Sequence, residues 1–328
     1  MDELSERSPI RTAVAGVPLL GRPRLSAVAP GLAILVALAL VPFAVQDRYV
    51  LSVLILASLY AAMAASWDVL SGYTGRENFG FALFFGTGAY AAALLDTRLH
   101  LPLALGIAAG GLLAVAFAML IGVPALRLRG PYFALVTLAA AGIMERLTLL
   151  FWPLTGGEDG VYQIQPFSLS ANVTYGASLL FMAVVVLGLY AATRSSFGMV
   201  LRAIRANEPA CEASGLNTAA YKVGALLLSA LPAGLAGGLY AHIQEHVGPA
   251  VYSAELSVTV LIMAFIGGAG TIYGAAAGGF LLTVLGESLR GFGPYRLLLY
   301  TAILLPVVLY LPRGLVVQLL GWFGERRR

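Results

Sequence analysis

The stretch SGYTGRENFGFALFFGTGAYAAALL, Ser71–Leu95, is apolar enough for a membrane interior, yet glycines stand at 72, 75, 80, 86 and 88. Arg76, Glu77 and Asn78 follow one another near its front. A plain spanning helix needs neither feature. Glycine lets backbones approach closely, and it lets a helix end inside a protein-lined cavity where N–H and C=O groups stay accessible. A second such stretch, FIGGAGTIYGAAAGGFLL at Phe265–Leu282, lies in the C-terminal half. Interrupted helices in corresponding halves of a chain point to an internal repeat and a solute path. Tight glycine packing with no path is the other reading of the same residues.

The remaining sequence places these two stretches in a membrane. Of 328 residues, 59% are hydrophobic and 11% charged, and the mean hydropathy is +0.87. Soluble domains carry about a quarter charged residues, so the composition implies a polytopic membrane protein. The single cysteine, Cys211, excludes an intrachain disulfide. Spans of roughly 20 apolar residues are expected near 30–46, 50–70, 79–96, 102–124, 131–152, 176–193, 220–241, 256–270, 272–289 and 296–312. The third opens inside the glycine-rich stretch. The eighth and ninth are separated by IGGAGTIYG, so these two, like the third, could be half-helices or re-entrant. The fold class is therefore all-α, polytopic, with about eight to ten transmembrane helices and glycine-broken segments. Residues 1–29 read as a cytosolic tail rather than a cleaved signal, 30–315 as the transmembrane domain, and 316–328 as a basic tail.

Basic residues orient these spans. With the N terminus inside, the inner loops hold Arg7, Arg11, Arg22, Arg24, Arg76, Arg127, Arg129, Arg194, Arg202, Arg205, Lys222, Arg313 and Arg326 to Arg328. The outer loops hold only Arg48, Arg98, Arg290 and Arg296. This asymmetry favours N-in and C-in. The long loop 153–175 then lies outside and the basic loop at about 194–220 inside. In the latter, Met199, Val200, Ile204 and Cys211 could share an apolar face, with Arg202, Arg205 and Glu208 pointing elsewhere, as in a helix resting on the membrane surface.

Chemistry-bearing clusters are few. His242 and His246, with Glu245, have a metal-pair spacing but lack a further ligand; with His100 they are expected on an aqueous rim, and no metal site is assigned. No phosphate-binding GxxxxGK[ST] loop and no GxSxG elbow occurs, so no catalytic residue is assigned and the chain is not read as an enzyme. Asp68, Glu145, Arg146 and Glu287 fall inside apolar spans, with Glu255 at a boundary. Each would cost about 2.5–3.5 kcal/mol at a helix centre, so they face the bundle interior or water. They serve either a polar path or interhelical packing.

Taken in order, the blocks GYTG at 72–75, FFGTGAYAAALL at 84–95, RGPYFALVTLA at 129–139, LTGGEDGV at 154–161, SFGMVLRAIRANEPACEASGLNTAAYK at 196–222, LSALPAGLAGGLYAH at 228–242, FIGGAGTIYGAAAGG at 265–279 and LYLPRGL at 309–315 resemble LivM-type permeases of branched-chain amino acid ABC importers. The resemblance spans about Leu51 to Gly314. It implies a permease subunit that carries branched-chain or other hydrophobic amino acids through the bacterial cytoplasmic (inner) membrane. The implied partners are a LivH-like second permease, two LivG/LivF-like ATPase subunits that bind ATP and Mg, and an extracytoplasmic substrate-binding protein. The chain itself would hold no cofactor and no nucleic acid.

The same resemblance makes 196–222 the loop that couples to the ATPases. Glu212, Ala213 and Gly215 stand at its acidic, small and glycine positions, and Arg202, Arg205 and Glu208 join them as candidate polar contacts. Candidates for the translocation path are Gly72, Gly75, Arg76, Glu77, Asn78, Gly86, Gly88, Glu145, Gly267, Gly268 and Gly270. Gly156, Gly157 and Asp159 are candidate contacts for the binding protein. The family's pattern after GYTG reads GYTGQ-x-S-x-G-H, whereas here Arg76, Glu77, Asn78 and Phe81 occupy the corresponding region. That departure leaves two cargo readings, amino acids or urea and short amides. A lone secondary transporter is the alternative of another class.

Overall fold

In the computed structural model the described residues are 47–128 and 130–295, together with Leu38, Leu40 and Gly314. The chain divides into a short unit, Met1–Ala44, and a main unit, Val45–Arg328; the following concerns the main unit. The expected span at 30–46, the one at 296–312 and the basic tail lie outside the described residues, apart from Leu38, Leu40 and Gly314.

The main unit is all helical, with one isolated two-residue bridge, among the described residues. Helix α1 runs Arg48–Thr74, α2 Phe81–Leu99, α3 Leu103–Phe117, α4 Tyr132–Leu150, α5 Ala171–Arg194, α6 Ser196–Ala213, α7 Thr218–Gln244, α8 Ala254–Gly268 and α9 Ile272–Ser288. A widened π turn, Ala118–Gly122, and one further α turn, Val123–Ala125, prolong α3. Among the described residues, six helices are long and apolar enough to cross a membrane. They are α1, the extended α3, α4, α5, α7 and α9 with the turn that follows it.

Burial ranks these helices. In the most apolar windows of α1 and α7, 67% and 61% of residues are buried, against 28% to 39% for the other four. A helix apolar on all sides can be buried on all sides, so α1 and α7, together with the largely buried α2, form the centre of the bundle. The outer helices turn Leu112, Leu120, Leu135, Ile143, Leu180 and Val184 outward, as lipid or a neighbouring chain requires. Backbones approach closely where α2, α3 and α7 meet. A β-carbon on Gly88 would lie 2.0 Å from the Gly234 carbonyl oxygen, and one on Gly110 would lie 2.7 Å from that of Gly88. Only glycines allow three backbones to converge there.

Capping fixes the helix starts. Asp47 Oδ1 accepts from the Tyr49 amide at 2.8 Å, Ser195 Oγ from Phe197 at 3.2 Å, Asn217 Oδ1 from Ala220 at 3.1 Å and Ser253 Oγ from Leu256 at 3.2 Å. Two expectations change. The glycine-rich stretch does not yield a half-helix: the break is confined to Gly75–Gly80, and α2 is continuous for 19 residues. In α6 the buried positions are Gly198, Leu201, Ile204 and Cys211, whereas Met199 is 52% exposed. Helical spacing from Leu201 selects Ile204 and Cys211 but not Met199, and at Asn207 the backbone leaves the helical region (φ −160°, ψ 94°).

Candidate functional site

The two glycine-broken stretches meet. Helix α1 ends at Gly75, which takes the left-handed conformation (φ 73°) and donates its N–H to the Ser71 carbonyl at 3.0 Å. The following loop folds back into the protein. Trp67 Nε1 donates to the Asn78 carbonyl at 2.7 Å. The Asn78 amide donates to Ser71 Oγ at 3.1 Å, and Gly80 N donates to Asn78 Oδ1 at 2.9 Å. Irregular backbone is tolerable at such a place because its polar groups are satisfied internally. The second break, Ala269–Thr271 between α8 and α9, lies alongside. Asp68, fully buried on α1, accepts the Gly270 N–H on Oδ1 at 2.7 Å. Gly72 makes this reach possible, since a β-carbon there would stand 1.9 Å from Asp68 Oδ1 and 2.6 Å from Gly270 N.

Helix α6 closes over this junction. Arg205 Nη1 donates to the carbonyl of Gly72 and would stand 3.1 Å from a β-carbon placed on Gly270. Three residues on, Glu208 joins two cations from distant parts of the chain. Its Oε2 accepts from Arg76 Nη2 at 2.8 Å, and its Oε1 pairs with Lys222 Nζ at the start of α7. Arg76 also donates to the Leu128 carbonyl at 2.8 Å. Partial burial pushes the Glu208 carboxyl up, but hydrogen bonds from Lys222 and Arg76 outweigh it and hold the group below its ordinary value. Between Arg205 and Glu208 lies the break at Asn207, whose Oδ1 accepts from Ala210 N at 3.1 Å and starts the second piece of α6. A cavity of about 620 Å³ opens at this place, with Gly75, Arg76, Glu77, Arg205, Asn207 and Glu212 among its lining residues.

The remaining predicted positions are distributed as follows. Arg202 and Glu212 are exposed. The Arg202 guanidinium lies 5.7 Å from the centre of the Tyr73 ring, and Glu212 accepts from Thr218 Oγ1 at 2.8 Å. Ala213 is the last residue of α6, and Gly215 (φ 83°) reverses the chain in open space. Gly86 accommodates a ring, because a β-carbon there would meet Tyr252 at 2.5 Å. Gly88 belongs to the three-helix contact. Gly267 packs against Gly274, and Gly268 against Gly314. Glu145 is half-buried on α4 with no ion-pair partner among the described residues, well separated in sequence from the junction.

At the opposite end of α1 and α7, the loop after α4 is tied down. Gly156, Gly157 and Gly160 all have positive φ, and Asp159 is exposed. Val161 and Val247 exchange backbone hydrogen bonds at 2.8 and 3.0 Å. The Gln165 peptide is held on both sides: its N–H donates to Asp96 Oδ2 at 2.7 Å, and its carbonyl accepts from His242 Nδ1 at 2.8 Å. His242 is 1% exposed, so its expected place on an aqueous rim is corrected; loop 161–167 folds over it. His246 does lie at the surface side, donating through Nε2 to the Asp159 carbonyl at 2.9 Å and resting on the Tyr162 ring. Among the described residues no three His, Cys, Asp or Glu side chains converge as a metal site would require.

Sequence reasoning gave Asp68 only a general role, in a polar path or in packing, and assigned none to Asp96 or Lys222. For Asp68 the signal was present: a carboxylate four residues before Gly72, in an otherwise apolar run. For Lys222 it was not, because its partner Glu208 lies 14 residues away across a turn.

Residues 49–310 match the family model described as branched-chain amino acid transport system / permease component. The chain is 30% identical over 304 residues to the high-affinity branched-chain amino acid transport system permease protein LivM of Escherichia coli (strain K12), covering 84% of this chain and 71% of that protein. It is 30% identical over 287 residues to the protein of the same name from Salmonella typhimurium, covering 79% of this chain and 68% of that one. No solved structure matches the chain.

Proposed function

This chain belongs to the branched-chain amino acid transport permease family, and from that premise we propose that it is the permease subunit of an ATP-driven, binding-protein-dependent importer of branched-chain or similar hydrophobic amino acids. It is a multi-pass membrane protein, and the membrane is the bacterial cytoplasmic one. A LivH-like second permease completes the path, and two LivG/LivF-like ATPases supply energy from ATP and Mg. An extracytoplasmic binding protein delivers the solute. The end bearing α6 faces the cytoplasm, in keeping with the basic residues gathered there.

The observation that carries this reading is the build of α6. It is a helix lying across the ends of the spanning helices, with Leu201, Ile204 and Cys211 buried beneath it and Arg202 and Glu212 exposed above. An exposed polar surface attached to a membrane bundle is what an ATPase needs to push upon. Arg202, Glu212, Ala213 and Gly215 form the outward part of that surface. Gly156, Gly157 and Asp159, on the tied-down loop at the other end, form a firm platform for the binding protein. At the departure, Arg76 is engaged by Glu208 and the Leu128 carbonyl and Asn78 Oδ1 accepts from Gly80 N, while Asn78 Nδ2 is buried without a partner among the described residues.

The test is uptake in proteoliposomes containing this chain with its second permease, both ATPases and the binding protein. Labelled leucine, isoleucine and valine should accumulate only with ATP and Mg, and urea and acetamide should not. Accumulation of urea or acetamide alone would overturn the cargo, and accumulation without ATP would overturn the class of machine.

A further inference from the structure

The candidate positions in α6 do not all face one way. Arg205, through Nη1, and Glu208, through both oxygens, bond to the chain itself, and what they hold is specific. Arg205 donates to Gly72 at the end of α1 and overlies Gly270 in the break between α8 and α9. Beneath it Asp68 accepts from Gly270 N at 2.7 Å. The second oxygen of Asp68, Oδ2, is buried with no hydrogen-bond partner among the described residues. A carboxylate in a spanning helix is costly, and this one binds only the backbone of a glycine break. One side chain of α6 thus touches both interrupted segments, which lie about 200 residues apart in the chain.

We infer that Arg205, acting with Asp68, is the positioning pair that transmits movement of α6 to the two glycine breaks. This deepens the importer reading and rests on it. The geometry gives a definite division of labour. Glu208, gripped by Arg76 and Lys222, fixes the second piece of α6 to the loop after α1 and to α7. Arg205 fixes the first piece to the α1 end and the α8–α9 break. Asn207 lies between the two grips, and its non-helical backbone (φ −160°, ψ 94°) allows the pieces to turn relative to one another. A push on the exposed side of the first piece therefore reaches Gly72 and Gly270 together, through hydrogen bonds that leave little slack. The two breaks move as one body because Asp68 already ties them.

Two measurements on the full reconstituted transporter test this. The first is the number of amino acids imported per ATP hydrolysed. Arg205→Ala should lower that ratio at least tenfold while ATP hydrolysis continues, and Arg205→Lys, which can still donate to the Gly72 carbonyl, should restore part of it. A ratio equal to wild type in assembled Arg205→Ala transporter overturns the inference. The second measurement does not depend on the variant folding. With Cys211→Ser as background, spin labels at Ala203 on α6 and Tyr273 on α9, both exposed, report the distance across the junction. That distance should stay constant between nucleotide-free and ATP-bound transporter. A change of distance in otherwise wild-type transporter that is importing amino acid overturns the linkage. Absence of any ATP-driven uptake by wild type would instead count against the function itself, and the distance would still report whether the junction is rigid.

Discussion

Glu208 shows how much one side chain can hold. Its two oxygens join Arg76 and Lys222, whose side chains are only 12% and 8% exposed, so removing the carboxylate leaves two poorly hydrated cations unpaired. Glu208→Gln should destabilise the purified chain by about 1.5–3 kcal/mol at neutral pH, read as a lower unfolding temperature in detergent. The pH dependence has a definite sign. The folded-state carboxyl titrates below its ordinary value, so its stabilisation is complete above the unfolded carboxylate range and is lost as pH falls through the lowered folded value. The gap in unfolding temperature between wild type and Glu208→Gln should be full at neutral pH and close on acidification. Glycines give a sharper contrast. Gly88→Ala places a methyl 2.0 Å from the Gly234 carbonyl oxygen, whereas Gly142 on α4 has nothing within 4 Å. Gly88→Ala should sharply reduce folded yield, while Gly142→Ala should leave thermal stability unchanged or raise it by about 0.5–1 kcal/mol.

Among the elements, α6 and α8 depart most from a simple spanning helix. Helix α8 has 15 residues and so rises about 22 Å, short of a hydrocarbon core of about 30 Å. Its end is the break that Asp68 grips. Helix α6 is broken by choice of residues: Pro209 cannot donate to the preceding turn, and Asn207 caps the second piece. Replacing both, as Asn207→Ala with Pro209→Ala, should straighten α6 and pull Glu208 out of register with Arg76. Uptake should then fall several-fold more than ATP hydrolysis, as measured in parallel on the reconstituted transporter. Most helices could be read from hydropathy, and the glycine clusters at 72–80 and 267–270 could be read from composition. The buried side of α6 could be read in part: Ile204 and Cys211 are buried as expected, whereas Met199 is exposed and Leu201 takes its place. Periodicity treats a helix as unbroken, and the residues that orient α6 are Arg76 and Lys222, which local pattern does not connect to Glu208. His242 was misplaced for a similar reason, since the chain that covers it arrives from 77 residues away.

For the molecule as a whole, the orientation argued from basic residues makes a direct prediction. In a Cys211→Ser background in intact cells, a cysteine at Glu158 should react with a membrane-impermeant maleimide. One at Glu212 should react only after the membrane is opened. Both positions are exposed, so the reversed labelling pattern would invert the proposed topology. The pair α1 and α7, the most buried of the six helices long and apolar enough to cross a membrane, anchors features at both ends: the junction under α6 at one, and the loop over His242 at the other. That loop has a kinetic consequence. Surface loops usually surrender their amide hydrogens to deuterium within seconds, because nothing need open first. Here the amides of Val161, Gln165 and Phe167 are each bonded to Val247, Asp96 or His242. They should keep their protons on the timescale of the helices beneath, so the platform proposed for the binding protein would behave as part of the bundle, and any quickening of its exchange when that protein is added would mark the instant at which this end begins to open.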